Sequence, residues 1–148
     1  MGEKLVVRKT IAAPPREVFD AWTDADGMKS WMCPGDATEA RARLDVRVGG
    51  TFEIVMKSPQ RDYEHTGTYR VVDPPRKLVF TWMSAATDNK TTLVTVEFLA
   101  RGTGTEVVLT HEELPSPEAV KSHRGGWGTI LDRLAERFGP GSSSSPAR

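Results

Sequence analysis

The chain has 148 residues, enough for one domain with a single core, and its Lys+Arg and Asp+Glu counts are equal at 20 each. That balance excludes the basic footprint of a nucleic-acid binder. With 38% hydrophobic and 27% charged residues the chain reads as soluble and globular; no apolar run nears the ~20 residues of a membrane span, and the start carries no signal-peptide pattern. The single cysteine, Cys33, excludes an internal disulfide and fits a reducing, cytoplasmic setting.

Lys4 to Ala12 alternates loosely between apolar and polar residues and reads as a first strand, closed by Ala13-Pro14-Pro15. Val18, Phe19 and Trp22 recur at helical spacing, which predicts a short helix over Arg16 to Thr23. Asp24 or Asp26 can cap a second short helix bearing Met28, Trp31 and Met32, broken by Cys33-Pro34-Gly35-Asp36. Six more strands follow. Ala37 to Val46 is weakly patterned and ends at the turn Gly49-Gly50. Thr51 to Lys57 puts Phe52, Ile54 and Met56 on one face. Glu64 to Val72 sets Gly67, Tyr69 and Val71 against Thr68, Arg70 and Val72, and Asp73-Pro74-Pro75 turns the chain. Lys77 to Met83 aligns Leu78, Phe80 and Trp82; Thr91 to Ala100 aligns Val94, Val96 and Phe98; Thr105 to His111 aligns Val107, Leu109 and His111. Asp88-Asn89-Lys90 and Arg101 to Gly104 are hairpin turns between them.

Ser116 to Phe138 is the last helix. Val120, Trp127, Ile130, Leu131, Leu134 and Phe138 share one face, Ser116 can cap it and Pro117 suits its first position. Three glycines, Gly125, Gly126 and Gly128, sit inside it. Each costs roughly 1 kcal/mol relative to Ala, so either the helix is weak there or something approaches its backbone closely, as a sheet wrapped around it would. Residues 139–148 are rich in Gly, Ser and Pro and predict a disordered tail, leaving residues 1–138 as the domain. The expected fold is α+β, in the order β-α-α-β6-α, with an antiparallel sheet covered on one face by the C-terminal helix.

In joint order and spacing these residues resemble the START-like superfamily (SRPBCC, the Bet v 1-like helix-grip fold), and within it the branch similar to the C-terminal domain of the activator of Hsp90 ATPase. The resemblance is carried by Pro15 to Trp22 with Trp31 and Pro34, and by Asp45 to Gly50 leading into Phe52. Gly67-Thr68-Tyr69, Pro74 to Trp82, Thr92 to Glu97, Gly104-Thr105, Leu109 to His111, and Gly126-Trp127 with Leu131 and Leu134 complete it. It implies a seven-stranded sheet curved around the long helix, with two short helices closing one end. It also implies a cavity that in many relatives holds an apolar molecule such as a lipid, sterol or polyketide. The eukaryotic activator uses an additional N-terminal domain to engage the chaperone, and no such domain is expected within these 148 residues.

Phe52, Met56, Tyr69, Phe80, Trp82, Phe98 and Trp127, with Trp31 and Met32 at the short helices, form an inward set of aromatic and thioether side chains. Such a set suits a flat or flexible apolar ligand and equally suits a packed core. Of these, Trp31, Met56, Tyr69, Phe80, Trp82, Phe98 and Trp127 are the candidate ligand-binding residues, and His111 and His123 are the candidate polar anchors. His111 is inward by parity, and His123 precedes Trp127 by one helical turn. An inward histidine can orient a ligand or act as a base. No third ligand stands at a recognisable metal spacing, and no cofactor motif is present. Glu53 and Glu97 fall on the opposite face and are expected to pair across strands with Lys or Arg.

The expected function is non-catalytic binding of a small hydrophobic molecule between sheet and helix, by a cytoplasmic monomer or homodimer without nucleic-acid or membrane partners. The resemblance supplies two alternatives: a chaperone-linked (Hsp90-type) interaction domain, and a cyclase- or hydrolase-like enzyme with His111 as its base.

Overall fold

The computed structural model describes residues 2–34 and 37–139. The expected turn at Gly35-Asp36 and the tail at 140–148 lie outside the described residues. The strands are β1 (Glu3–Ile11), β2 (Glu39–Leu44), β3 (Thr51–Lys57), β4 (Asp62–Asp73), β5 (Lys77–Trp82), β6 (Thr92–Arg101) and β7 (Gly104–Leu114). The helices are α1 (Pro15–Trp22) and α2 (Pro117–Arg137), with single 3₁₀ turns at Gly27–Ser30 and Ala85–Thr87. All seven strands form one antiparallel sheet in the order β1-β7-β6-β5-β4-β3-β2. This is the expected helix-grip architecture.

The second short helix is a 3₁₀ turn of four residues. Asp26 precedes it without a side-chain cap bond, and Gly27 opens it, so nothing favours propagation beyond one turn. Trp31 and Met32 follow it in irregular chain and are buried.

The parity of β4 also changes along its length. Tyr69 pairs with Phe80, but the register shifts before Val71, which pairs with Val79. The extra residue sends Val72, opposite Leu78, toward the core, where Val71 was expected. Near this shift Thr81, whose parity is opposite to that of Leu78, Phe80 and Trp82, is only 7% exposed, and its hydroxyl accepts the Thr68 amide at 2.8 Å. Gly67 sits where the Phe52 ring crosses β4: a Cβ there would lie 2.0 Å from the Thr81 carbonyl oxygen and 2.5 Å from the ring.

The other strands follow their alternation. Phe52, Ile54 and Met56 of β3, Leu78, Phe80 and Trp82 of β5, and Val94, Val96 and Phe98 of β6 are all buried. On the opposite face Glu53 faces Arg43 directly across the β2–β3 pair, with a 2.7 Å contact.

Helix α2 starts as expected, with the Ser116 hydroxyl accepting the Ala119 amide and Pro117 in its first turn. Gly139, at φ +97°, follows its last turn. Seven strands at a spacing of about 4.8 Å span roughly 29 Å, whereas a helix with its side chains is about 10–12 Å wide. One helix cannot cover that face. Helix α2 lies against β1 and β7, and α1 packs on β6 and β7 beside it. The face of β3 to β5 is left to side chains and space.

Candidate functional site

Part of that remainder is filled. Trp22 from α1 packs on Trp31 (ring centroids 5.1 Å apart), Phe98 (6.4 Å), Phe80 (6.5 Å) and Trp127 (6.4 Å). Tyr69 and Phe80 contact Phe52 at 5.4 Å each. Of the nine candidates, Trp31, Tyr69, Phe80 and Phe98 are therefore held in the aromatic core. Burial pushes the Tyr69 phenol up to about 12, with Asp45 adding to the shift.

The rest is open. A groove of about 1170 Å3 runs between the N-terminal half of α2 and the sheet side formed by β3, β4 and the end of β5. Its walls include Met56, Trp82, His123 and Trp127 from the sequence-derived set. They also include Pro34, Tyr63, His65, Met83, Gly125 and Gly126, which lie outside the nine candidates. His65 had a legible signal, because it shares the parity of Gly67 and Tyr69, but it stands in a polar stretch.

The helical glycines do not serve close packing against the sheet. A Cβ at Gly125 or Gly128 would meet nothing within 4 Å, and one at Gly126 would meet only the Pro34 ring at 3.7 Å. Gly125 and Gly126 instead form the helix side of the groove. Side chains at these positions would project from α2 toward the space the groove occupies or toward solvent.

Two of the chain's three histidines, His65 and His123, line the groove, and the third, His111, packs against His123. The His65 ring stacks on Trp82 at 4.8 Å, Trp82 meets Trp127 at 5.0 Å, and His111 meets His123 edge-on at 4.9 Å. His111 is fully buried behind this wall. Its Nδ1 accepts the Trp127 indole N–H at 3.0 Å, so its proton is on Nε2, which donates to the Thr92 hydroxyl at 2.7 Å. That hydroxyl donates onward to the Trp82 carbonyl at 2.5 Å. Each donor has one acceptor, and the relay joins α2 to β7, β6 and β5. Both ring nitrogens of His111 are occupied, and the residue does not reach the groove. The expected anchor is a positioning residue for Trp127 and Trp82. Burial, with a smaller contribution from His123, pushes it down to about 3.

His65 and His123 differ. His123 Nδ1 bonds the Ala119 carbonyl at 2.8 Å, and His65 Nδ1 bonds the Ile54 carbonyl at 3.3 Å. A carbonyl only accepts, so both rings carry their proton on Nδ1 and present Nε2 as a lone pair. Burial lowers both; His65 falls to about 4, with His123 contributing to that shift. The Trp82 indole N–H is buried without a partner. Around the mouth Arg61 lies over the Tyr63 ring at 4.9 Å and Asp62 pairs with Lys57 at 3.1 Å. Glu64, Glu118 and Lys121 complete a rim of mixed charge.

Cys33 is buried, and the Arg133 guanidinium bonds its carbonyl, its sulfur (3.3 Å) and the Ala37 carbonyl (3.3 Å). The connection ahead of β2, whose Pro34 and Ala37 wall the groove, is thereby tied to α2. Among the described residues no group of three or more His, Cys, Asp or Glu side chains is placed to hold a metal ion, and no helix is long and apolar enough to cross a membrane.

Among solved structures, protein NE0264 from Nitrosomonas europaea is similar at a TM-score of 0.77 and 22% identity, covering 95% of this chain and 97% of its own. Protein CV1439 from Chromobacterium violaceum gives 0.76 and 19% identity, with 97% and 99% covered. CalU16 from Micromonospora echinospora gives 0.72 and 24% identity, with 93% and 76% covered. At these identities the likeness shows a shared fold. Among curated proteins nothing matches. Residues 12–139 match the family model described as Activator of Hsp90 ATPase homolog 1-like protein, so the chain belongs to the activator of Hsp90 ATPase homolog 1-like family.

Proposed function

We propose that the protein binds a small apolar molecule in the groove between α2 and β3 to β5, and that it does so without transforming it. The observation that carries this reading is a groove of about 1170 Å3 with Met56, Trp82 and Trp127 on its wall and glycines on its helix side. Small-molecule sites commonly occupy ~300–1,000 Å3 with apolar and aromatic walls and few polar groups. Stacking faces and an adaptable thioether suit a flat or flexible ligand.

The surface favours this reading over a chaperone-binding one. Among the described residues the exposed large apolar ones are Val6, Val48, Tyr63 and Met83. Tyr63 and Met83 line the groove itself. Val6 is on β1 and Val48 joins β2 to β3, at opposite edges of the sheet, so they form no continuous docking patch. A cyclase- or hydrolase-like activity through His111 lacks a free ring nitrogen to run it.

NMR titration of 15N-labelled protein with a panel of lipophilic metabolites tests the proposal. Binding should move the indole N–H signals of Trp82 and Trp127 and the backbone signals of Gly125 and Gly126, and leave the β1 edge unmoved. Silence across the panel, or shifts confined to the outer sheet face, would defeat it.

A further inference from the structure

The groove has a deep polar feature that an apolar ligand alone does not use. His65 and His123 are 7% and 9% exposed, and both belong to its wall. Each ring is locked by a backbone carbonyl into the tautomer that bears its proton on Nδ1. Neither Nε2 makes a side-chain hydrogen bond, although the Tyr63 backbone also lies near the His65 ring, and neither is among the enclosed unpartnered side-chain atoms of the described residues, the indole nitrogens of Trp22, Trp31 and Trp82. The two rings thus offer the groove a lone pair, most plainly at His123 Nε2, beside the Trp82 and Trp127 rings, which meet at 5.0 Å with their planes tilted by 52°.

We infer that the groove takes a planar aromatic molecule bearing a hydroxyl group, whose O–H donates to an Nε2 of the His65–His123 pair while its ring lies against Trp82 and Trp127. This names the ligand class of the site proposed above and rests on that reading. Three considerations select a neutral donor. An acceptor such as a ketone or ether would set its lone pair against another, leaving a buried acceptor unpaired. A carboxylate would meet no cation beside the two neutral imidazoles, because the groove's cations, Arg61 and Lys121, are exposed side chains at its mouth; burying an unpaired anion is strongly unfavourable. Charge on His123 also disfavours charge on His65, so the two rings do not protonate together to hold an anion between them. A phenolic or other aromatic hydroxyl satisfies the lone pair and keeps its ring on the indoles.

The test is isothermal titration of the full chain at pH 7.5 with four naphthalenes that share one ring system: 2-naphthol, 2-methoxynaphthalene, 2-naphthoate and 2-naphthylmethylammonium. One well-aligned hydrogen bond predicts 2-naphthol binding about tenfold tighter than 2-methoxynaphthalene. In the His65→Phe, His123→Phe double variant, checked for native near-ultraviolet circular dichroism, the two should bind alike, with methoxynaphthalene affinity retained. Equal affinities of naphthol and methoxynaphthalene for the native protein would overturn the inference and leave the apolar-binding reading standing. Tightest binding of the naphthoate or the ammonium compound would overturn it in favour of a charged ligand. Binding of none would overturn both readings. Because the first comparison uses only the native chain, it decides even if the double variant does not fold.

Discussion

Acidification is the perturbation to which this core should respond most. His111 and His65 are buried neutral, with their titrations pushed down to about 3 and about 4 from an ordinary 6.5. In the unfolded chain both bind a proton near pH 6.5; in the native fold they do not until far lower. Stability therefore falls as pH drops from about 6.5 toward about 3 to 4, and is unaffected by these groups above neutrality. Between pH 7 and pH 5 the linkage amounts to about 2 kcal/mol for each residue, or about 4 kcal/mol together. Domains are typically stable by ~5–15 kcal/mol, so that loss is large. Urea unfolding at pH 7 and pH 5, followed by tryptophan fluorescence, measures it. The His111→Gln variant can still accept from Trp127 and donate to Thr92, but it cannot titrate. Its loss over the same interval should be smaller than the native protein's by about 2 kcal/mol. Identical pH dependence in the two proteins would refute the buried, relay-locked state of His111.

Five further substitutions separate the roles of single residues. Gly125→Ala and Gly128→Ala meet open space inside a helix, so each should stabilise the protein by about 0.5–1 kcal/mol in urea unfolding; destabilisation would show that the helix backbone is packed there after all. Gly67→Ala drives a methyl into the Thr81 carbonyl and the Phe52 ring, and should cost about 3 kcal/mol or more, read as a lower urea midpoint. Trp127→Phe removes the donor to His111 and leaves that buried acceptor bare, a loss of about 1–3 kcal/mol beyond the ring atoms removed; Thr92→Val should lose a similar amount by breaking the next link.

The strands were legible because each buries one face. Phe52-Ile54-Met56 and Val94-Val96-Phe98 announce their inner sides by alternation alone. The β4 register shift was not legible, since one extra residue inverts parity from Val71 onward without altering composition. The convergence of His111, His123, Trp82 and Trp127 followed from parity on β5 and β7 and one turn of α2. What each one does there depended on hydrogen-bond partners such as Thr92 and Ala119, which no periodicity reveals. The helical glycines misled for a related reason. A missing side chain signals either close packing or open space, and only the positions of Pro34 and the sheet decide between them. His65 carried the parity of Tyr69 but stood among polar neighbours, and its burial against Trp82 comes from the tertiary fold.

The most direct test of the groove as a binding site is to fill it from within. Gly126 lines it, and its Cβ position has only ordinary contact with Pro34, so Gly126→Leu places an isobutyl group there without a backbone clash. Calorimetric titration of the native and Gly126→Leu proteins with 2-naphthol should give saturable one-to-one binding in the first. In the second, with a thermal midpoint no lower than the native one, binding should weaken by tenfold or more. Equal affinity in the two proteins, or no saturable binding to the native one, would contradict the account.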